Sequence, residues 1–328
     1  MLRRPNLLIW LPALLLLTLA AFAVSLSVGS AGVSPQELWA SLTGGGDALT
    51  RTVVLELRLP RALSAFAVGG LLALAGTLMQ VLLRNPLADP YILGVSGGAA
   101  VGALGAILAG LARIWVDGGA FAGALLSTLL VFALAHGRGG WTPTRLLLTG
   151  IAVAAGWGAL ISLLLVLGSD ASLHSMIFWL MGDFSYQQGG LAGLLMLALG
   201  LAACWPFARQ LNVLARGETL AEALGIAVRP LSVAIYVAAS LFTAVAVTEA
   251  GAIGFVGLVV PHMFRMLAGG DHRRLLPGAV LLGGCLLLFA DTLSRSIAEP
   301  RQLPVGVVTA ALGVPLFLYL LNRARGPL

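Results

Sequence analysis

The sequence predicts an all-α integral membrane protein of about ten transmembrane helices, and three observations carry that prediction. Hydrophobic residues make up 59% of the 328 and charged ones 10%, where a soluble domain carries roughly a quarter charged residues. The apolar residues gather in continuous runs of about 17–23, which at ~1.5 Å per residue suffice to cross a ~30 Å hydrocarbon core. The runs do not alternate polar with apolar as the strands of a closed barrel would, so the spans are helical.

Composition also excludes some functions. All 19 basic residues are arginine, and the phosphate-cradling P-loop requires a lysine, so this chain cannot carry a standard Walker A ATPase. The net charge of +6 is spread one to three arginines per loop with no basic run, which fits membrane topology and not nucleic acid. Cys204 and Cys285 both lie inside apolar runs, which argues against a disulfide or a metal site.

Taken in order, residues 1–30 offer two readings. Arg3-Arg4, an apolar run and Ala21-Phe22-Ala23 resemble a signal peptide, but the run at 7–28 exceeds the ~7–15 residues of a signal core. A retained first helix is the expectation. Residues 29–60 read as a polar extramembrane loop with Pro35 and a Gly44-Gly45-Gly46 turn. The second span, 62–83, is bounded by Arg58 and Arg61 on one side and Arg84-Asn85-Pro86 on the other. Proline disfavours a helical residue before it, so Asn85 and Asp89 mark the break before the next span. Further spans fall at 91–111, 118–135, 146–167, 190–207, 231–248, 250–264, 275–294 and 303–321. The span at 250–264 is short, contains Pro261 and is separated from its predecessor by Glu249 and Gly251. Residues 171–181 are too few to cross and predict a helix lying at the surface or re-entering. Gly69, Gly70, Gly76, Gly94, Gly97, Gly98 and Gly102 predict close helix–helix approach, the usual role of small residues in a bilayer.

Orientation follows from the arginines. With the N-terminus inside, thirteen of the 19 fall on inner segments, among them Arg84, Arg216, Arg265, Arg273 and Arg274. The other six, Arg51, Arg58, Arg61, Arg113, Arg295 and Arg301, fall outside, which puts both termini in the cytoplasm. No internal repeat or linker is visible, so residues 1–328 read as one transmembrane domain.

The motifs are more specific than the composition. Leu57-Arg58-Leu59-Pro60-Arg61, Gly76-Thr77-Leu78-Met79-Gln80 and RNPLADPYILGVSGGA at 84–99 resemble the FecCD-type permeases. Later stretches agree: Phe178-Trp179-Leu180-Met181-Gly182, GFVGLVVPH at 254–262 and LPVGVVTAALG at 303–313. The resemblance runs from about Pro35 to Leu321. These permeases are the membrane subunits of ABC importers for ferric siderophores, haem and vitamin B12. It implies the type II ABC importer architecture and a homodimer with the path at its interface. It further implies two cytoplasmic ATPase subunits that hydrolyse ATP, a periplasmic binding protein, and a place in the bacterial inner membrane. The chain itself is expected to bind no cofactor or metal and to act as a non-catalytic subunit.

The longest inner loop, 208–230, contains a short predicted helix at 218–224, with Glu218 and Glu222 one turn apart. Leu220, Ala221 and Leu224 share another face, and Gly225 suits a left-handed cap. The residues alone leave a solvated connector open; the resemblance implies the coupling helix that docks on the ATPase. Arg58, Arg61 and Arg295 are interfacial arginines by residue type, and Asp291 could pair with Arg295 one turn on. The resemblance implies that they meet acidic residues of the binding protein. It also assigns gate positions to Asn85, Leu87, Pro143 and Thr144, although Pro143 departs from the familiar pattern. His174 and Asp183 flank the short outer helix and are candidate cargo contacts.

Two rival classes also have a footing in the sequence. Gly94-Val95-Ser96-Gly97 is a G-x-S-G sequence of the kind used by intramembrane serine proteases, with His262 as candidate base. It is weak in a chain with 42 glycines. An ion-coupled secondary transporter would need ionisable groups at the midplane, and the spans have almost none away from their ends.

Overall fold

The computed structural model describes residues 7–29, 32–136, 142–185, 189–299 and 301–323, and all regular elements among them are helical. Arg3, Arg4, Arg138 and Arg325 of the inner set lie outside the described residues. The first helix, α1 (Leu7–Ser27), is followed by a correction to the expected loop at 29–60, which is largely helical. It holds α2 (Pro35–Leu42), α3 (Ala48–Thr52) and a π-helical turn (Val53–Arg58) that runs directly into α4 (Leu59–Leu82). The cause is local capping. Ser34 Oγ accepts the Glu37 N–H while Glu37 Oε2 accepts the Ser34 N–H at 2.8 Å, a complete capping box, and Asp47 caps α3. In the wide turn the Leu59 N–H reaches back five residues to the Val54 carbonyl, and Pro60, which has no N–H to donate, follows directly where the wide turn passes into α4.

α4 is the axis of the molecule. Nearly all of its apolar stretch is buried, and α9, α12, α13 and α14 surround it once the chain has passed through a 3-10 turn (Pro90–Leu93), α5 (Val95–Leu108), α6 (Arg113–Ala135), α7 (Pro143–Leu167) and α8 (Asp170–Met181). The remaining elements are α9 (Leu191–Cys204), a 3-10 turn (Trp205–Phe207), α10 (Ala208–Leu214), α11 (Glu218–Ala223), α12 (Val228–Ala250), α13 (Val256–Ala268), α14 (His272–Ser296) and α15 (Val305–Arg323). Backbone contact makes the packing around α4 possible. A methyl group at Gly69 would collide with the Gly283 carbonyl, and one at Gly76 with the Gly257 carbonyl. The α5–α6 pair is joined the same way through Gly98 against Gly123 and Gly102 against Gly119.

Seven helices are long and apolar enough to span, and the shorter apolar helices α5, α13 and α15 bring the total to the expected ten. Two expected spans change form. The span at 91–111 becomes the 3-10 turn plus the 14-residue α5, because Gly94 turns left-handed (φ 70°) and its carbonyl accepts Ser127 Oγ at 2.8 Å. The span at 250–264 begins six residues later, at Val256. Gly251 and Phe255 both have φ 69°, and the Ile253 N–H in the irregular stretch donates to the Tyr91 hydroxyl at 3.1 Å. Irregular backbone at this depth persists where protein satisfies its polar groups. The expected short outer helix at 171–181 is α8, and α7 is the least buried of the long helices.

Candidate functional site

The two ends of the bundle differ in chemistry. Arg84, Arg216 and Arg265 share one end with Asn212 and Asp271, around a cavity of about 560 Å³. Arg58, Arg61 and Arg295 gather at the other.

At the basic end α11 stands where the sequence placed it. Its C-terminus closes in a double hydrogen bond, Ile226 N–H to the Ala221 carbonyl and Gly225 N–H to the Glu222 carbonyl, both at 2.9 Å, with Gly225 at φ 77°. The expected shared face is corrected by the packing: Ala221 is completely buried, whereas Leu220 (43% exposed) and Leu224 (62%) stand in solvent beside Glu222. Ala221 therefore seats the helix and the two leucines are free to meet a partner.

Glu218 connects this helix to the core, its carboxylate 3.1 Å from the Arg84 guanidinium. Arg84 is itself unusual, with φ 48° immediately after α4. There it plays the role usually taken by glycine: the Arg84 N–H donates to the Val81 carbonyl and the Asn85 N–H to the Gln80 carbonyl, each at 3.2 Å. One turn inward, Gln80 accepts from Arg265 at 2.8 Å and donates to the Leu258 carbonyl at 3.2 Å, tying α4 to α13. Asn212 bridges α10 to α14 by donating to Asp271 at 2.8 Å and accepting the His272 N–H at 2.8 Å. Burial alone would raise the Asp271 carboxyl. The Asn212 bond, the Arg273 N–H and the charges of Arg273 and Arg274 hold it below its ordinary value.

The candidate gate residues serve as helix punctuation. Asn85 Oδ1 accepts the Leu87 N–H at 2.9 Å, and Leu87 is half-buried. Pro143 opens α7, with Thr142 accepting the Arg145 N–H at 3.3 Å and Thr144 exposed. The departure at Pro143 is thus an N-terminal proline, where its fixed φ suits the helix.

At the opposite end the three arginines turn inward. Arg58 is 7% exposed and donates to the Leu26 and Ser27 carbonyls at 2.7 and 3.1 Å, fastening the end of α1 to the start of α4. Asp291, wholly buried, is shared by Arg61 at 2.8 Å and Arg295 at 3.2 Å. Arg61 also donates to Gln302 at 3.0 Å, and Arg295 to the Ser25 carbonyl at 3.2 Å. Pairing with Asp291, left open by residue type, is what the side chains do.

His174, in the second turn of α8, and Asp183, two residues past its end, are brought together in a pocket of about 490 Å³ with Arg113, Phe178 and Ser185. The His174 and Phe178 rings lie 4.4 Å apart, and Asp183 accepts the Ser185 N–H and hydroxyl at 2.9 and 2.7 Å. Ser96 and His262, by contrast, are not joined by a hydrogen bond. Both imidazole nitrogens of His262 are buried and unpartnered, so the pair a serine hydrolase requires is not formed.

The model of the FecCD transport family matches residues 16–323. The chain belongs to the FecCD transport family. Among curated relatives of this FecCD chain, a cobalamin import system permease of Halobacterium salinarum is 45% identical over 86% of the chain and 77% of the relative. A hemin transport system permease of Yersinia pestis is 42% identical over 95% and 94%. A solved inward-facing structure of a metal-chelate type ABC transporter superposes with a TM-score of 0.87 at 32% identity, covering 95% of the chain and 98% of the other. The FecCD chain is accordingly a multi-pass membrane protein with the architecture of an ABC transporter permease.

Sequence reasoning missed the Gln80–Arg265 bond and the role of Asp291 as a shared anion. The first had a signal, since Gln80 is a lone amide inside an apolar run. The second required the register between α4 and α14.

Proposed function

We propose that this chain is the membrane-spanning permease subunit of an ATP-driven importer for a metal chelate of the ferric siderophore, haem or cobalamin class. The observation that carries the reading is α11, a capped helix presenting Leu220 and Leu224 to solvent while Glu218 and Ala221 bind it to the bundle. Two partner ATPase subunits dock there and hydrolyse ATP; this chain makes and breaks no bonds. The basic end is then cytoplasmic, in line with the arginine bias, and both termini lie on that side.

The permease works as a homodimer in the inner (cytoplasmic) membrane, with the exposed apolar α7 facing the second copy across the translocation path. A periplasmic binding protein delivers the cargo at the opposite end, where His174 and Asp183 line the pocket the cargo first meets. Arg58, Arg61 and Arg295 shape that face. Arg61 and Arg295, the less buried two, contribute positive charge to docking, and Arg58 acts by holding the backbone of α1 and α4. Asn85, Leu87, Pro143 and Thr144 form turns at the cytoplasmic mouth that close or open it as α11 moves.

The test is uptake of labelled haem, ferric siderophore and cobalamin by cells lacking the gene, with and without its restoration. Uptake of one cargo that is restored by the wild-type gene and lost with Leu224→Asp supports the reading. Restoration of none of the three, or undiminished uptake with Leu224→Asp, rejects it.

A further inference from the structure

A second cavity lies on the outer wall of the bundle, separate from the basic-end cavity but reaching that end of the molecule at its rim. There α1, α9, α13 and α14 leave an apolar groove of about 540 Å³ walled by Trp10, Leu11, Leu14, Leu201, Phe264 and Pro277. This volume falls in the ordinary range of small-molecule sites, ~300–1,000 Å³. Beneath it Leu14, Phe264 and Leu275 form their own small buried cluster, separate from the main core, so the groove has a packed floor.

Its rim is basic. Arg273 and Arg274, in the first turn of α14, line the groove beside Trp205, whose Nε1–H donates to the Arg273 carbonyl at 3.1 Å. Among the described residues neither arginine side chain forms an ion pair, and the Nε of the half-buried Arg274 is buried without a partner, as is Trp10 Nε1. The acid that senses them is Asp271, already engaged by Asn212 and the Arg273 N–H, so the rim keeps an excess of positive charge. Arginines without a carboxylate, tryptophans at the same level and an apolar trough below them match a phospholipid layer by layer: headgroup, interface and acyl chain.

We propose that this groove is a binding site for an anionic glycerophospholipid, with an acyl chain along Leu14, Leu201 and Phe264 and the phosphate at Arg273 and Arg274. The apolar trough accepts any such chain. The two arginines select the anionic headgroup, because each basic side chain at a membrane surface favours it about fivefold.

Native mass spectrometry of the full-length protein in detergent, titrated with palmitoyl-oleoyl phosphatidylglycerol or the matching phosphatidylcholine, tests this. Phosphatidylglycerol is expected to bind in preference, and Arg273→Gln/Arg274→Gln to lower its affinity at least about fivefold while leaving phosphatidylcholine unchanged. Ala202→Trp, at an exposed groove position outside the core, fills the trough and is expected to remove phosphatidylglycerol binding with the arginines intact. It keeps the proposal falsifiable if the arginine variant does not fold. Equal binding of the two lipids by the wild type overturns the proposal, as does full phosphatidylglycerol binding by Ala202→Trp.

Discussion

Arg84 and Glu218 meet at 3.1 Å across the boundary between the end of α4, the most buried of the long helices, and the short helix α11. Both side chains are more than a third exposed, so the pair is worth only ~0–1 kcal/mol of stability. Its interest is positional: α11 can move α4 through it. Glu218→Arg is expected to cut ATP-driven uptake severalfold with little change in thermal unfolding, and Arg84→Glu/Glu218→Arg to recover part of the loss. Arg84→Gly separates backbone from charge, since glycine adopts φ 48° without strain. It should leave stability equal or up to ~1 kcal/mol higher while transport falls.

Two substitutions within α11 should have opposite signatures. Leu224→Asp changes an exposed side chain and is expected to leave membrane insertion and melting temperature as in the wild type while ATPase pull-down is lost. Ala221→Arg forces a charge into a fully buried site and should lose folded protein, at a cost of ~1–3 kcal/mol or more. Detergent size-exclusion profiles distinguish the two. Equal behaviour of the variants would mean that the face was assigned wrongly.

The Asp291 hub makes a stability prediction at the opposite end. With one arginine removed, as in Arg61→Met, the other still faces the carboxylate and the loss is modest. Arg61→Met/Arg295→Met strands a buried anion, and a loss of ~3–5 kcal/mol is expected. Adding Asp291→Asn to the double variant should recover much of it. Thermal unfolding in detergent measures all three.

Glycine contacts give a paired control. Gly98→Ala drives a methyl group into the Gly123 carbonyl and should destabilise by ~1–3 kcal/mol. Gly105→Ala, on the same helix with open space around it, should be neutral or gain ~0.5–1 kcal/mol. Unfolding midpoints of the two single variants suffice.

The membrane class, the number of spans, the α11 cap and the family motifs were legible in the sequence because each depends on neighbours in the chain. Apolar run length sets a span, Gly225 sets a cap, and Leu57–Arg61 or Asn85–Pro86 stand as contiguous words. Even the helical 29–60 segment was written locally, in Ser34 and Glu37. What the tertiary structure alone decided were matters of register between distant segments. That Ala221 is buried while Leu224 is not, that Arg61 and Arg295 share Asp291, and that His174 and Asp183 line one pocket all depend on how helices rotate against one another. That rotation is fixed by close backbone contacts such as Gly69 on Gly283 and Gly76 on Gly257. In a bilayer every face of these helices is apolar, so hydrophobic pattern does not mark the inward side, and only the packing selects it.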